Sequence, residues 1–293
     1  MLQESKYPLG IKILTLLMLI ALAFMCMTGL IMVVMYFKGI PIGGLNGIED
    51  VLQYGLGLAK WLIFLQHTLL FVAVPLVFAY FFYKNECIQF LGFKWPSLAD
   101  FLIFMGLLLC IYPLMAILTT WVSWIPLPEW MRNLDQNQFK ALESLMQMNS
   151  LTDVLFNLLL FAVLPGIGEE LLFRGVIQKE LEKSLGKIHM AIWITSLVFA
   201  LLHFQVVGFL PKLFIGLVLG YAYFYTKSIW VPMALHAINN GSATLALYFA
   251  GNSGFDVKEN ISYFTYGQLF LLVFFTALIG LYFRYIHHYY KVK

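Results

Sequence analysis

Long apolar runs limit what this chain can fold into more than any other feature. A helix that crosses the hydrocarbon core of a bilayer needs about 20 mainly apolar residues. Runs of that kind recur at 11–37, 61–82, 99–121, 151–175, 190–206, 208–226, 229–250 and 264–285. Inside lipid a backbone must satisfy its own hydrogen bonds, and a helix does so within each segment. The expected fold is therefore all-α, a single polytopic membrane domain over 1–293 with about eight transmembrane helices. Within it, 1–150 reads as N-terminal helices and amphipathic segments, 151–250 as a motif-bearing core, and 264–293 as a last helix and tail. Charged residues make up only 11% of the chain, against about 25% in soluble domains, and no charge-rich stretch is long enough to fold alone.

The gaps between runs carry their own signals. Residues 38–60 hold Gly43-Gly44 and Gly55-x-Gly57, which predict a loop followed by a short interfacial helix. In 122–150, Leu134, Phe139, Leu142, Leu145 and Met146 recur at helical spacing, as in a helix lying flat on the membrane. The first run follows Lys6 and Lys12 in the manner of a signal peptide, but it exceeds the usual 7–15-residue core and reads as a retained span. Eight spans put both termini on one side. That side collects twelve of the 18 lysines and arginines, which predicts cytoplasmic termini in a cell inner (plasma) membrane. Cys26, Cys87 and Cys110 are scattered without ligand spacing. No basic block suggests nucleic acid; the expected partners are the lipid bilayer and whatever the polar core acts on.

That core is conspicuous because the fourth run contains Glu169-Glu170-Leu171-Leu172-Phe173-Arg174 after Pro165-Gly166. A charge at the bilayer centre costs at least about 2.5–3.5 kcal/mol on insertion scales. Glu170 and Arg174 stand four apart with the acid first, so they can neutralise each other. Glu169, about 100° around the helix, is then left over. A carboxylate without a countercharge in a low-dielectric site is suited to proton transfer near neutral pH. Two later runs add His203, after Phe199, and His236 with Asn240 four residues on. At a rise of 1.5 Å per residue, Glu169, His203, His236 and Asn240 lie about 14 to 21 Å from their cytoplasmic helix ends. They can meet in one slab, open toward the cytoplasm. A carboxylate and a histidine can activate one water, and an imidazole and an amide can stabilise the oxyanion formed when water attacks a peptide carbonyl.

These motifs resemble those of the CAAX-processing and bacteriocin-processing (CPBP) intramembrane proteases, also called the Abi or type II CAAX prenyl endopeptidase family. That family carries Glu-Glu-x-x-x-Arg, Phe-x-x-x-His and His-x-x-x-Asn on separate membrane helices. All three are present here, as Glu169, Glu170 and Arg174, then Phe199 and His203, then His236 and Asn240. The resemblance implies that Glu169 is the general base, aided by His203, and that His236 and Asn240 form the oxyanion hole. Glu170 and Arg174 would orient and support. It further implies a metal-independent endopeptidase without cofactor, acting on peptides or proteins that include membrane-anchored or lipidated ones. Peptide processing, secretion and bacteriocin self-immunity are the roles it suggests.

The residues alone leave other readings open. Two carboxylates and two histidines are plausible zinc ligands, although no His-Glu-x-x-His is present. The same side chains would suit a proton-coupled transporter, although no second copy of the cluster exists. An inactive scaffold or immunity member of the family is a third reading. Gly251-Asn252-Ser253-Gly254 reads as a turn rather than a serine-protease motif. His67, in the second run, has no partner that its neighbours in sequence reveal, and it reads as structural, like His189, His287 and His288.

Overall fold

The computed structural model describes residues 7–40, 48–253 and 266–292, and among these every regular element is helical. We label the helices α1 (Leu9–Phe37), α2 (Leu56–Leu91), α3 (Leu98–Ser123), α4 (Glu129–Leu145), α5 (Leu151–Leu185), α6 (Ile188–Leu201), α7 (Phe209–Thr226), α8 (Trp230–Ser253) and α9 (Tyr266–Val292). A one-turn helix, Ile48–Leu52, precedes α2. The chain is thus an all-α, multi-pass membrane protein. Among the described residues, α1, α2, α3, α5, α7 and α9 are long and apolar enough to cross a bilayer. The two other expected spans are helical but differ in kind. Helix α6 has only 14 residues, and α8 interrupts its apolar sequence with His236, Asn239 and Asn240.

Several boundaries depart from the sequence-based expectation. The run at 190–206 ends as helix at Leu201, so His203 lies in the turn beyond it. The run Gly251-Asn252-Ser253, expected as a turn, continues α8, while Gly254 lies outside the described residues. Gly43, Gly44 and the start of the last run at 264 also fall outside them. Helices α3 and α5 start where expected for a physical reason. Ser97 with Asp100, and Ser150 with Asp153, form capping boxes that satisfy the first free backbone N–H groups.

The main core lies between α3, α7, α8 and α9, around Phe104, Leu107, Leu108, Leu219 and Leu235. A second cluster joins α2 to α5, α7 and α8 through Phe78, Phe90, Leu171, Tyr223 and Met233. Lys12 of α1 reaches α5, where its Nζ stands 2.7 Å from Glu180 Oε2. Lipid gives helices no hydrophobic drive to associate, so close backbone approach matters. Two glycines of α5 provide it just ahead of the acidic pair. A Cβ on Gly166 would stand 2.9 Å from the backbone N of Ala237 in α8. One on Gly168 would stand 2.8 Å from Phe71 Cβ in α2. Helices α2 and α8 are thereby drawn against α5 on either side of Glu169.

Regular winding breaks near the same place. Helix α5 widens to π-helix at Leu159–Val163 and at Leu171–Gln178, and α2 does so at Thr68–Ala73. Such widenings occur often at functional sites because they re-aim side chains and free backbone groups. Pro165 has no N–H to give the carbonyl four residues back. That carbonyl, Phe161 O, accepts Asn240 Nδ2 from α8 at 3.3 Å.

Candidate active site

Arg174 and Glu170 are both fully buried. Arg174 Nη1 donates to Glu170 Oε1 at 2.5 Å, and Nη2 donates to the carbonyl of Gly216 in α7 at 3.0 Å. One turn on, Gln178 Nε2 donates to the carbonyl of Gly220 at 3.1 Å. The planar fork of arginine lets one side chain serve the acid and the neighbouring helix at once. Phe199 of α6 lies under the guanidinium, with Arg174 Cζ 4.9 Å from its ring centroid.

Glu170 Oε1 is also 2.8 Å from His236 Nδ1. A carboxylate paired with arginine accepts, so Nδ1 carries a proton toward Glu170 and Nε2 is left to face the other way. That Nε2 faces Glu169 Oε2 at 3.9 Å. Glu169 Oε2 is buried and has no hydrogen-bond partner among the described residues. Glu169 is thus the carboxylate left outside the Glu170–Arg174 pair, beside an imidazole whose other face that pair holds. Asn240, one turn beyond His236, uses one amide N–H on Phe161 O, and its Oδ1 accepts from Asn239 Nδ2 at 3.1 Å.

His203 enters through Phe199. Its Nδ1 donates to Phe199 O at 2.7 Å. The Phe199 ring stands edge-on to both imidazoles, 4.7 Å from His203 and 5.8 Å from His236 between centroids. The turn that carries His203 is irregular, with Phe204 in the left-handed region at φ 51°. Non-helical backbone at membrane depth must find partners in protein. Helix α4 supplies them. Asp135 accepts from the backbone N–H groups of Val206 at 2.9 Å and Val207 at 3.0 Å, and Gln138 donates to Phe204 O at 3.2 Å.

Sequence reasoning missed His67. It comes from α2, donates Nδ1 to its own Ile63 O at 3.2 Å, and turns Nε2 to Glu169 Oε1 at 3.9 Å. No local spacing signals this, because its polar neighbour lies on another helix far along the chain. Asp135 and Gln178 were missed for the same reason. Among the described residues, no three His, Cys, Asp or Glu side chains converge as metal ligands do. Beside the site a cavity of about 800 Å³ runs between α1, α2, α5 and α6. Its walls are apolar, with Leu16, Leu70, Phe71, Phe173 and Leu202 among them, and it reaches Lys12 and Glu180.

Residues 151–242 match the type II CAAX prenyl endopeptidase Rce1-like family. Over that segment, less than half of the chain, the protein is CAAX-protease-like. The matched segment takes in Glu169, Glu170, Arg174, Phe199, His203, His236 and Asn240, so the resemblance read from the three motifs holds over the helices that carry them. The uncharacterized protein YpbD of Bacillus subtilis (strain 168) is 34% identical over 86 residues, which is 28% of this chain and 41% of that protein. The chain thus spans less than half the length of that relative. No solved structure matches.

Proposed function

We propose that this protein is an intramembrane endopeptidase in which Glu169 activates water. One observation carries the reading: a buried carboxylate oxygen without a hydrogen-bond partner among the described residues faces His236 Nε2, while the adjacent Glu170 is already held by Arg174. A buried polar atom left open in this way calls for an explanation, and general-base catalysis supplies one. Glu169 takes a proton from water, and the oxygen attacks the scissile carbonyl. The proton then passes to the leaving amine, with His203 assisting at the irregular turn.

The oxyanion falls to His236 and Asn240. Glu170 fixes Nδ1 of His236, so a proton on Nε2 makes that atom a donor toward the reacting carbonyl. Asn240 retains a second amide N–H besides the one given to Phe161 O. Glu170 and Arg174 do not react; they hold His236 and tie α5 to α7. No metal is required by this scheme. Substrates reach the site from the apolar cavity, which supports peptides that are membrane-anchored or lipidated. Peptide processing, secretion and bacteriocin self-immunity are compatible roles. The charge asymmetry of the loops supports a plasma-membrane protein with both termini in the cytoplasm.

The test is cleavage of a peptide library by the purified full chain in detergent. Glu169→Ala should abolish cleavage while the protein stays folded, and a chelator should leave the wild-type rate unchanged. Undiminished cleavage by Glu169→Ala would sink the mechanism. Loss on chelation with recovery on adding zinc would overturn its metal-free character. Proton-coupled uptake into liposomes without proteolysis would favour a transporter.

A further inference from the structure

His67 lies outside the segment that matches the protease family, yet it faces the proposed base. We propose that His67 is the second acceptor for the attacking water, which Glu169 and His67 hold between them; this rests on the endopeptidase reading above.

The two oxygens of Glu169 have different surroundings. Oε2 is buried and looks to His236, whose side chain is 3% exposed. Oε1 looks to His67, whose side chain is 20% exposed, against 12% for Glu169 itself. The open side of the carboxylate is therefore the His67 side. The gap of 3.9 Å there is too long for a direct hydrogen bond and short enough for one water to touch both atoms. The tautomer is fixed from behind. Ile63 O accepts from Nδ1, so neutral His67 presents a lone pair at Nε2.

A water held this way gives one proton to Glu169 Oε1 and one to His67 Nε2 as hydrogen bonds. Its oxygen lone pairs then point away from both, toward a carbonyl. On attack one O–H bond breaks, its proton goes to Glu169, and the C–O bond forms; His67 keeps hold of the other proton. Gly168 makes the arrangement feasible, because a larger residue there would push α2 away from α5.

Both acceptors must be unprotonated, so activity should fall in acid through two proton uptakes. Other groups face this pair and titrate or carry charge. They are Glu170 and Arg174 on α5, His236 on α8 and Lys212 on α7; His203, on the turn beyond α6, interacts in turn with His236, Lys212 and Arg174. The contribution of His67 must therefore be read as a difference between variants. His67→Phe keeps the packing against Phe71, whose ring centroid is 5.4 Å away, and removes the acceptor. It should lower kcat about tenfold or more with KM changed less than about twofold. His67→Gln keeps an acceptor oxygen without titrating. It should recover most of the rate at the optimum and reduce the acid limb from two protons to one.

A wild-type kcat and a two-proton acid limb in both variants, with Glu169→Ala inactive, would overturn the role of His67 and leave the protease reading standing. If the wild type cleaves nothing, the protease reading fails and the ¹⁵N titration of the His67 imidazole decides the pairing. Its midpoint should move by about one pH unit on Glu169→Gln; an unmoved midpoint would overturn the proposal. The same titration serves if His67→Phe does not fold.

Discussion

Arg174 and Glu169 sit five residues apart on one helix, and their losses should be felt in different quantities. Arg174 has no exposure and serves both Glu170 and the Gly216 carbonyl. Arg174→Ala strands a buried carboxylate, which should destabilise the fold by about 3–5 kcal/mol. Thermal unfolding in detergent would register this as a large drop in Tm. Arg174→Lys keeps the charge but loses the fork, so its Tm should fall between the two. Glu169→Gln removes no hydrogen bond among the described residues and should leave Tm near the wild-type value while cleavage stops. This division was legible in the sequence, since a Glu-Glu-x-x-x-Arg in an apolar run has few ways to be neutralised. What could not be read was the identity of the third helix at Glu169. A lone histidine in an apolar run carries no register, and only the close approach at Gly168 brings His67 to the carboxylate.

Helix α4 acts on the site as a whole element. Its amphipathic spacing was visible in the sequence, but its docking partner was not, because the turn at 202–208 was hidden at the junction of two expected spans, mostly within the first. The helix meets that turn through Asp135, which satisfies the backbone N–H groups of Val206 and Val207. An unsatisfied buried donor costs about 1–3 kcal/mol. Asp135→Ala should therefore loosen the turn that carries His203 without unfolding the bundle. Hydrogen exchange at Val206 and Val207 should rise, and kcat should fall more than KM rises. Unchanged exchange at those two amides would show that α4 does not hold the turn. Helix α8 offers the complementary case. Its approach to α5 depends on Gly166, and Gly166→Leu should separate His236 from Glu170 and lower both stability and cleavage.

At the scale of the molecule, the loop charges predict that Lys187, between α5 and α6, lies on the cytoplasmic side and Ser150, ahead of α5, on the other. With Cys26, Cys87 and Cys110 replaced, an impermeant maleimide applied to intact cells should label Ser150→Cys and spare Lys187→Cys; the reverse pattern would invert the topology. That each of the eight apolar runs carries a helix, and their order, followed from run length alone, since the bilayer permits little else, but among the described residues six of those helices are long and apolar enough to cross. The shortness of α6 did not follow, because the residues after Leu201 remain apolar while turning. The seam between α5 and α7 also has a consequence for biogenesis. The Arg174 fork and the Gln178 amide find their acceptors on Gly216 and Gly220, on a helix made later by the ribosome. Until α7 emerges, α5 carries donors that lipid cannot satisfy. It should linger at the insertion machinery rather than partition freely, and chains truncated before Gly216 should be cleared by quality-control proteolysis faster than chains ending after Gly220.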